Sequence, residues 1–305
     1  MSISQSISLQ QSRRAGLWLW VRQLGNVCKL RIGSTIAFTA LAGVAVTPGE
    51  LAPWRVAVLG LAVLLASACA GGINQYVEVE LDRRMGRTRR RPFVTGALRH
   101  RPVWLFGFYA VLAAAVLAAA VATNLLAALF VFLGAFFYAV VYTVWLKRRT
   151  WMNIVIGGLA GSFAVLAGAA AVAPQLGPLP WVFAAVLFLW TPSHFWSLAI
   201  AMHQDYVAAR VPMLPVVIGD RAAAWVILTN SVLLVAVSLI PLTLGLGAVY
   251  LVGALGGGLY LLYTNLRLVR APSKSAAMIA FHASLVQLTL VLSAAILDAQ
   301  LVGGG

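Results

Sequence analysis

Residues 74–92 read Asn-Gln-Tyr-Val-Glu-Val-Glu-Leu-Asp-Arg-Arg-Met-Gly-Arg-Thr-Arg-Arg-Arg-Pro. The window holds three of the chain's seven acidic residues and six of its 22 basic ones, and it directly follows an apolar run. Asn74, Glu78 and Asp82 recur every fourth residue, so a helix stacks them on one face with roughly 6 Å of rise between neighbours. That face is a row of oxygen ligands. Just past it, Arg87 and Arg91 repeat the spacing with positive charge, and Pro92 is expected to limit the helix. Oxygens beside arginines suit a hard divalent cation together with a phosphate-rich ligand, because Mg²⁺ takes carboxylate and phosphate oxygens while Arg forks onto phosphate. A solvated basic loop at a membrane surface would explain the arginines alone. It leaves the carboxylates unexplained, since acids at the end of an apolar segment contribute little to topology.

Working outward, the 305 residues are 62% hydrophobic and 10% charged, whereas a soluble surface uses about a quarter charged residues. The chain is read as an integral membrane protein in contact with the lipid bilayer. Its net charge of +15 does not point to nucleic acid, because the basic residues sit in short clusters between apolar runs instead of on one face. Cys28 and Cys69 are too few and too far apart for a thiolate metal site and are assigned to packing. Ser12-Arg13-Arg14 resembles a twin-arginine signal, but the following stretch is broken by Arg22, Lys29 and Arg31, and no cleaved leader is expected.

Apolar stretches long enough to span a bilayer occur at 32–49, 54–73, 103–121, 125–146, 151–173, 180–201, 222–243, 247–265 and 277–297. The fold class is therefore all-α, with about nine transmembrane helices. With alternate links facing inward, 21 of the 22 basic residues, including Arg13 and Arg14, are inside and only Arg55 is outside. The positive-inside rule then places the N-terminus in the cytoplasm and the C-terminus outside, as in a bacterial inner membrane. The expected organisation is a cytoplasmic segment 1–30, one transmembrane domain 31–298 and an outer tail 299–305. Glu78, Glu80, Asp82, Asp205 and Asp220 fall in or beside two inner loops, and Asp82 and Asp205 are each followed ten residues later by a proline, Pro92 and Pro215. This suggests two four-helix repeats plus one helix, with both loops facing one cavity.

Two further polar islands interrupt the apolar pattern. Tyr142, Lys147, Arg148, Arg149 and Asn153 lie at an inner end, where a lysine commonly serves as a snorkelling anchor. Thr191-Pro192-Ser193-His194-Phe195-Trp196 breaks the sixth span, and a proline there frees carbonyls that need partners. His194 is a candidate either for satisfying one of them or for binding a ligand. His100, His203 and His282 carry no such assignment.

The pattern Asn74-x3-Glu78-x3-Asp82-x2-Met85-x-Arg87-Thr88-x2-Arg91-Pro92 resembles the first motif of the UbiA superfamily of membrane prenyltransferases, in the form used by protoheme IX farnesyltransferases. Tyr142-Thr143-x-Trp145-Leu146-Lys147-Arg148-Arg149-Thr150, Asn153 through Gly158, His194-Phe195-Trp196, Asp205-Tyr206 and Pro212 through Val217 follow in that family's order. The similarity runs from about Lys29 to Asp298. Glu78 stands where the family usually has Asp, Val79 replaces a common Arg, Met202 a basic residue and Arg210 a usual Gly.

The resemblance implies a UbiA-like helical bundle that transfers a farnesyl group from farnesyl diphosphate to a vinyl group of haem B, giving haem O. It places the chain beside haem A synthase or terminal oxidase assembly proteins. Asn74, Glu78, Asp82 and Asp205 would hold Mg²⁺ against the diphosphate, and Arg87, Arg91 and Lys147 would neutralise the remaining charge. Tyr76, Phe137, Tyr142 and Trp196 are candidates to face the allylic cation, and His194 is the histidine to test for contact with the acceptor. Three alternatives stay open on the residues alone. They are a UbiA relative with another aromatic or tetrapyrrole acceptor, an ion-coupled transporter, whose sites would lie near the bilayer midplane, and a retired paralogue acting in assembly.

Overall fold

Apolar runs of Ala, Leu, Val and Gly can satisfy their backbone groups in hydrocarbon by coiling into helices. Every regular element in the computed structural model, which describes residues 21–303, is helical. In chain order these are α1 (Val21–Val27), α2 (Leu30–Ala45), α3 (Pro53–Val77), α4 (Val79–Arg83), α5 (Pro92–Thr95), α6 (Val103–Ala122), α7 (Leu125–Phe136) continued by a π-helical segment (Phe137–Leu146), α8 (Asn153–Gly157) and α9 (Leu159–Val172). There follow α10 (Pro178–Ala201), α11 (His203–Ala208), α12 (Leu214–Ile218), α13 (Asp220–Leu239) closed by a 3₁₀ turn (Ile240–Leu244), α14 (Ala248–Arg270) and α15 (Lys274–Gly303). Among the described residues eight helices are long and apolar enough to cross a membrane. There are nine if α1 and α2, bent by 56° at Cys28–Lys29, count as one broken span.

The spans agree with the hydropathy pattern, and the differences are local. The first span ends at Ala45, α3 runs on to Val77, and α15 continues as helix to Gly303 instead of ending before a tail. Arg13, Arg14 and Gly305 lie outside the described residues. Cys28 and Cys69 are free thiols. Pro192 sits inside α10 without ending it. Near it, Asn230 Nδ2 donates to Leu189 O at 2.7 Å and Thr191 Oγ1 donates to Leu187 O at 2.9 Å, while His194 Nδ1 contacts Ser284 Oγ and not a carbonyl freed by the proline.

In the packing, α2 lies against α9 and α3, α3 against α6, α10 against α9, α13 and α15, and α14 against α15. The α2–α9 contact is backbone on backbone. A Cβ added to Gly43 would sit 2.1 Å from Val165 O, and one added to Gly168 would sit 1.9 Å from Ala40 O. Small residues permit this approach where lipid gives no hydrophobic drive to associate. A separate buried cluster containing Leu81, Met85, Ile154, Trp196, Tyr206 and Met213 ties the chain after α3 to the chain after α10. That cluster holds the two charged loops together.

Candidate functional site

The α3 register carries across a break at Glu78. Glu78 N–H donates to Asn74 O at 3.0 Å and Asp82 N–H to Glu78 O at 2.8 Å, so the every-fourth-residue row survives although α3 ends and α4 begins there. All three side chains are buried, Asn74 at 2% and Glu78 and Asp82 at 1% exposure. A carboxylate in such surroundings needs a charged or hydrogen-bonding partner, and each member of the row has one. Lys29 Nζ donates to Asn74 Oδ1 at 2.6 Å. Lys147 Nζ donates to both Glu78 oxygens at 2.5 and 2.6 Å. Arg91 Nη1 donates to Asp82 Oδ2 at 2.7 Å.

These three cations reach the row from different parts of the chain. Lys29 lies in the elbow between α1 and α2, held in the left-handed region at φ 48°, and Gln75 Nε2 pins the same elbow by donating to Asn26 O at 2.8 Å. Lys147 follows the π-helical segment, its own N–H bonding five residues back to Tyr142 O. The wider π turn puts Tyr138, Tyr142 and Lys147 on one side. Tyr138 accepts from or stacks near both neighbours, since Lys29 donates to its hydroxyl at 2.8 Å and its ring lies 5.9 Å from that of Tyr142. Lys29 and Lys147 stand 5.4 and 5.5 Å from the Tyr138 and Tyr142 ring centres, respectively. Thr143 orients Asn74 by accepting from its Nδ2 at 3.1 Å, which turns Oδ1 toward Lys29.

Arg91 arrives differently from the spacing argument. The helix stops at Arg83 and residues 84–91 form turns, so Arg87 and Arg91 do not extend the helical row, and Pro92 begins the short α5 instead of limiting a long helix. Arg91 comes back to Asp82 because the loop folds over. Arg87 is exposed, and its backbone serves the site: Gly86 N–H and Arg87 N–H donate to Asp205 Oδ1 and Oδ2 at 3.1 and 3.3 Å. A Cβ on Gly86 would lie 3.3 Å from Asp205 Oδ1, so glycine permits this close seat. Thus Asp205 docks on the loop that follows Asp82. Among the described residues no three His, Cys, Asp or Glu side chains stand close enough together to hold a metal ion. The donor chemistry nevertheless suits a hard cation, with one amide oxygen and two buried carboxylates in a row and a third carboxylate on the adjoining loop.

Of the aromatic candidates, Tyr142 belongs to this wall. Tyr76 stacks on His100 at 3.9 Å and edges Phe93, Phe137 packs on Phe163 at 5.1 Å, and Trp196 packs near Trp151 at 6.5 Å. These three contribute to packing around the site. The ring of His194 is buried between Trp190 and Phe281, 4.2 Å from each. Ser284 Oγ lies 2.7 Å from both His194 Nδ1 and Phe281 O, so it links the imidazole to that carbonyl. His203 pairs with Asp220 at 2.6 Å, linking α11 to the start of α13. Sequence reasoning passed over Lys29 and Tyr138. Lys29 looks like one more topology lysine, whereas Tyr138 could have been found from its four-residue spacing to Tyr142.

The profile of the UbiA prenyltransferase family matches residues 36–288. Protoheme IX farnesyltransferase 2 of Paramagnetospirillum magneticum is 52% identical over 284 residues, which cover 93% of this chain and 99% of that protein. Among solved structures, a membrane digeranylgeranylglyceryl phosphate synthase superposes with a TM-score of 0.73 at 18% identity, covering 92% of this chain and 98% of the other. A UbiA homologue from Archaeoglobus fulgidus bound to DMAPP and Mg²⁺ does so with 0.64 at 16% identity, covering 88% and 99%.

Proposed function

The chain belongs to the UbiA prenyltransferase family, and we propose that it transfers the farnesyl group of farnesyl diphosphate to a vinyl group of protoheme IX, forming a carbon–carbon bond and releasing diphosphate. The observation that carries this reading is a buried row of oxygen ligands with its own cations, in a membrane bundle 52% identical to a protoheme IX farnesyltransferase. The acids cluster beside arginines at the inner ends of the helices, which favours a lipid diphosphate entering from the cytoplasmic leaflet over an ion-coupled carrier.

Asn74, Glu78, Asp82 and Asp205 are the residues that would hold Mg²⁺. Bound there, the ion would act as a Lewis acid on the diphosphate, drawing off charge as the carbon–oxygen bond breaks. Lys147, Arg91 and Arg87 neutralise the remaining oxygens, and Arg does so with a planar fork. Lys147 and Arg91 are held beside the row by Glu78 and Asp82 before any diphosphate arrives, and Arg87 stands exposed on the adjoining loop. Tyr138 and Tyr142 offer ring faces to the allylic cation left behind. His194, with its flat aromatic neighbours, is assigned to the acceptor side. The membrane is read as a bacterial inner membrane with the charged loops in the cytoplasm.

The test is turnover by purified protein supplied with farnesyl diphosphate, protoheme IX and Mg²⁺, with tetrapyrroles separated and weighed by mass spectrometry. A farnesylated haem that requires all three is the expected result. Release of diphosphate with another acceptor, but none with protoheme IX, would refute the acceptor assignment.

A further inference from the structure

Lys29, Lys147 and Arg91 each occupy a different member of the Asn74–Glu78–Asp82 row, through contacts of 2.5 to 2.7 Å. The match is one cation per ligand. Lys147 and Arg91 already balance the two buried carboxylates Glu78 and Asp82, and Lys29 takes Asn74 Oδ1, so a free divalent cation meets ligands that are engaged and cations standing beside them. Lys147 illustrates the constraint, because its ammonium contacts both oxygens of Glu78 at once, so a metal approaching that carboxylate meets a positive charge at the same two atoms unless the ammonium withdraws. Withdrawal without a new partner would strand a buried ammonium, which is costly. A diphosphate supplies that partner, since its oxygens can accept from all three cations while metal takes the carboxylates.

We propose that Lys29, Lys147 and Arg91 are internal counter-cations that keep the ligand row closed to a free divalent ion and transfer to the diphosphate when the metal arrives with it, so that metal and diphosphate bind as one unit. Lys29 has a second consequence. It sits at the elbow between α1 and α2, so its transfer from Asn74 releases one of the bonds holding α1 against α3, while the Gln75 bonds to Asn26 O and Val27 O remain. The proposal rests on reading the row as the metal–diphosphate seat, but it makes no use of the acceptor.

The experiment measures Mn²⁺, as a spectroscopic stand-in for Mg²⁺, by its electron paramagnetic resonance signal on purified full-length protein without any tetrapyrrole. Wild type is expected to bind Mn²⁺ on the order of tenfold more tightly with farnesyl diphosphate than alone, the size of an ordinary coupling between ligands. Lys147→Met, which frees Glu78, should bind Mn²⁺ alone about tenfold more tightly than wild type and show less enhancement by farnesyl diphosphate. Mn²⁺ alone should also raise the melting temperature of that variant more than that of wild type at the same concentration. Arg91→Gln, which frees Asp82 Oδ2 at a half-buried position, serves as the second variant if Lys147→Met does not fold. Wild-type binding of Mn²⁺ that is equally tight with and without farnesyl diphosphate would overturn the proposal, as would variants no better than wild type at binding Mn²⁺ alone. Absence of Mn²⁺ binding under every condition would overturn the metal reading itself, and a failure to farnesylate protoheme IX would touch neither.

Discussion

Replacing Gly168 by Ala should break the contact that brings α2 and α9 together. The added methyl would stand 1.9 Å from Ala40 O, 2.8 Å from its carbonyl carbon and 3.0 Å from Val44 N, and every one of these is backbone. No rotamer change can relieve the clash, so the helices must part by more than 1 Å to reach ordinary van der Waals distance, about 3.5 Å between heavy atoms. Overpacking of this kind costs about 1–3 kcal/mol, and the rigid neighbours put the expected loss near the upper end. Gly161→Ala in the same helix and Gly107→Ala in α6 are the controls. Nothing lies within 4 Å of a Cβ at either position, so the better helix propensity of Ala should make them neutral or stabilising by up to about 1 kcal/mol. Thermal unfolding in detergent, followed by tryptophan fluorescence, reads the difference. Gly43 lies on the facing helix of the same contact, where an added Cβ would stand 2.1 Å from Val165 O. The double variant Gly43→Ala/Gly168→Ala should therefore cost less than the two single losses added together, because helices already apart accept the second methyl. Unchanged stability of Gly168→Ala, or full additivity in the double variant, would refute the close-packing argument.

Glu78→Gln should abolish turnover by removing the charge that Lys147 and a metal both require, while Glu78→Asp should retain activity with a raised Mg²⁺ requirement, as read in a Mg²⁺ titration of farnesyl transfer. Arg91→Lys should weaken use of farnesyl diphosphate markedly through loss of the planar fork, whereas Arg89→Lys and Arg90→Lys, both exposed, should change its KM little; equal losses at all three would favour a general basic loop. Asp298→Ala should lower the melting temperature, because its carboxylate, 3% exposed, accepts from Gly247, Val249 and Tyr250 N–H at the start of α14, and loss of such a cap costs about 1–2 kcal/mol. Mn²⁺ binding in the presence of farnesyl diphosphate should survive that change. A reporter fused after Gly305 should map to the outer side of the membrane, and an inward signal would remove the proposed orientation.

The amino-acid sequence by itself determines the helical class, the approximate spans and the identity of the oxygen-bearing row, since each depends on residues that are close in the chain. Hydropathy over about 20 residues marks a span, and a four-residue spacing marks a helix face. That is why Asn74, Glu78 and Asp82 stand out before any coordinates are known. The same local logic misplaced Arg87 and Arg91 on an extended helix, because it could not see that the backbone turns after Arg83. It also gave no sign that residues 137–146 wind as a π-helix, since hydropathy is indifferent to whether a carbonyl bonds four or five residues ahead. The partners of the row were decided by tertiary structure alone. Lys29 meets Asn74 across 45 residues, Lys147 meets Glu78 across 69, and Asp205 meets Gly86 across 119. A lysine near a helix end has the same local sequence whether it snorkels to the headgroups or turns inward. Packing of α2 on α9, the bend at Lys29 and the extra width of the π turn put these cations against a buried amide and a buried acid, and only that burial makes the pairings obligatory.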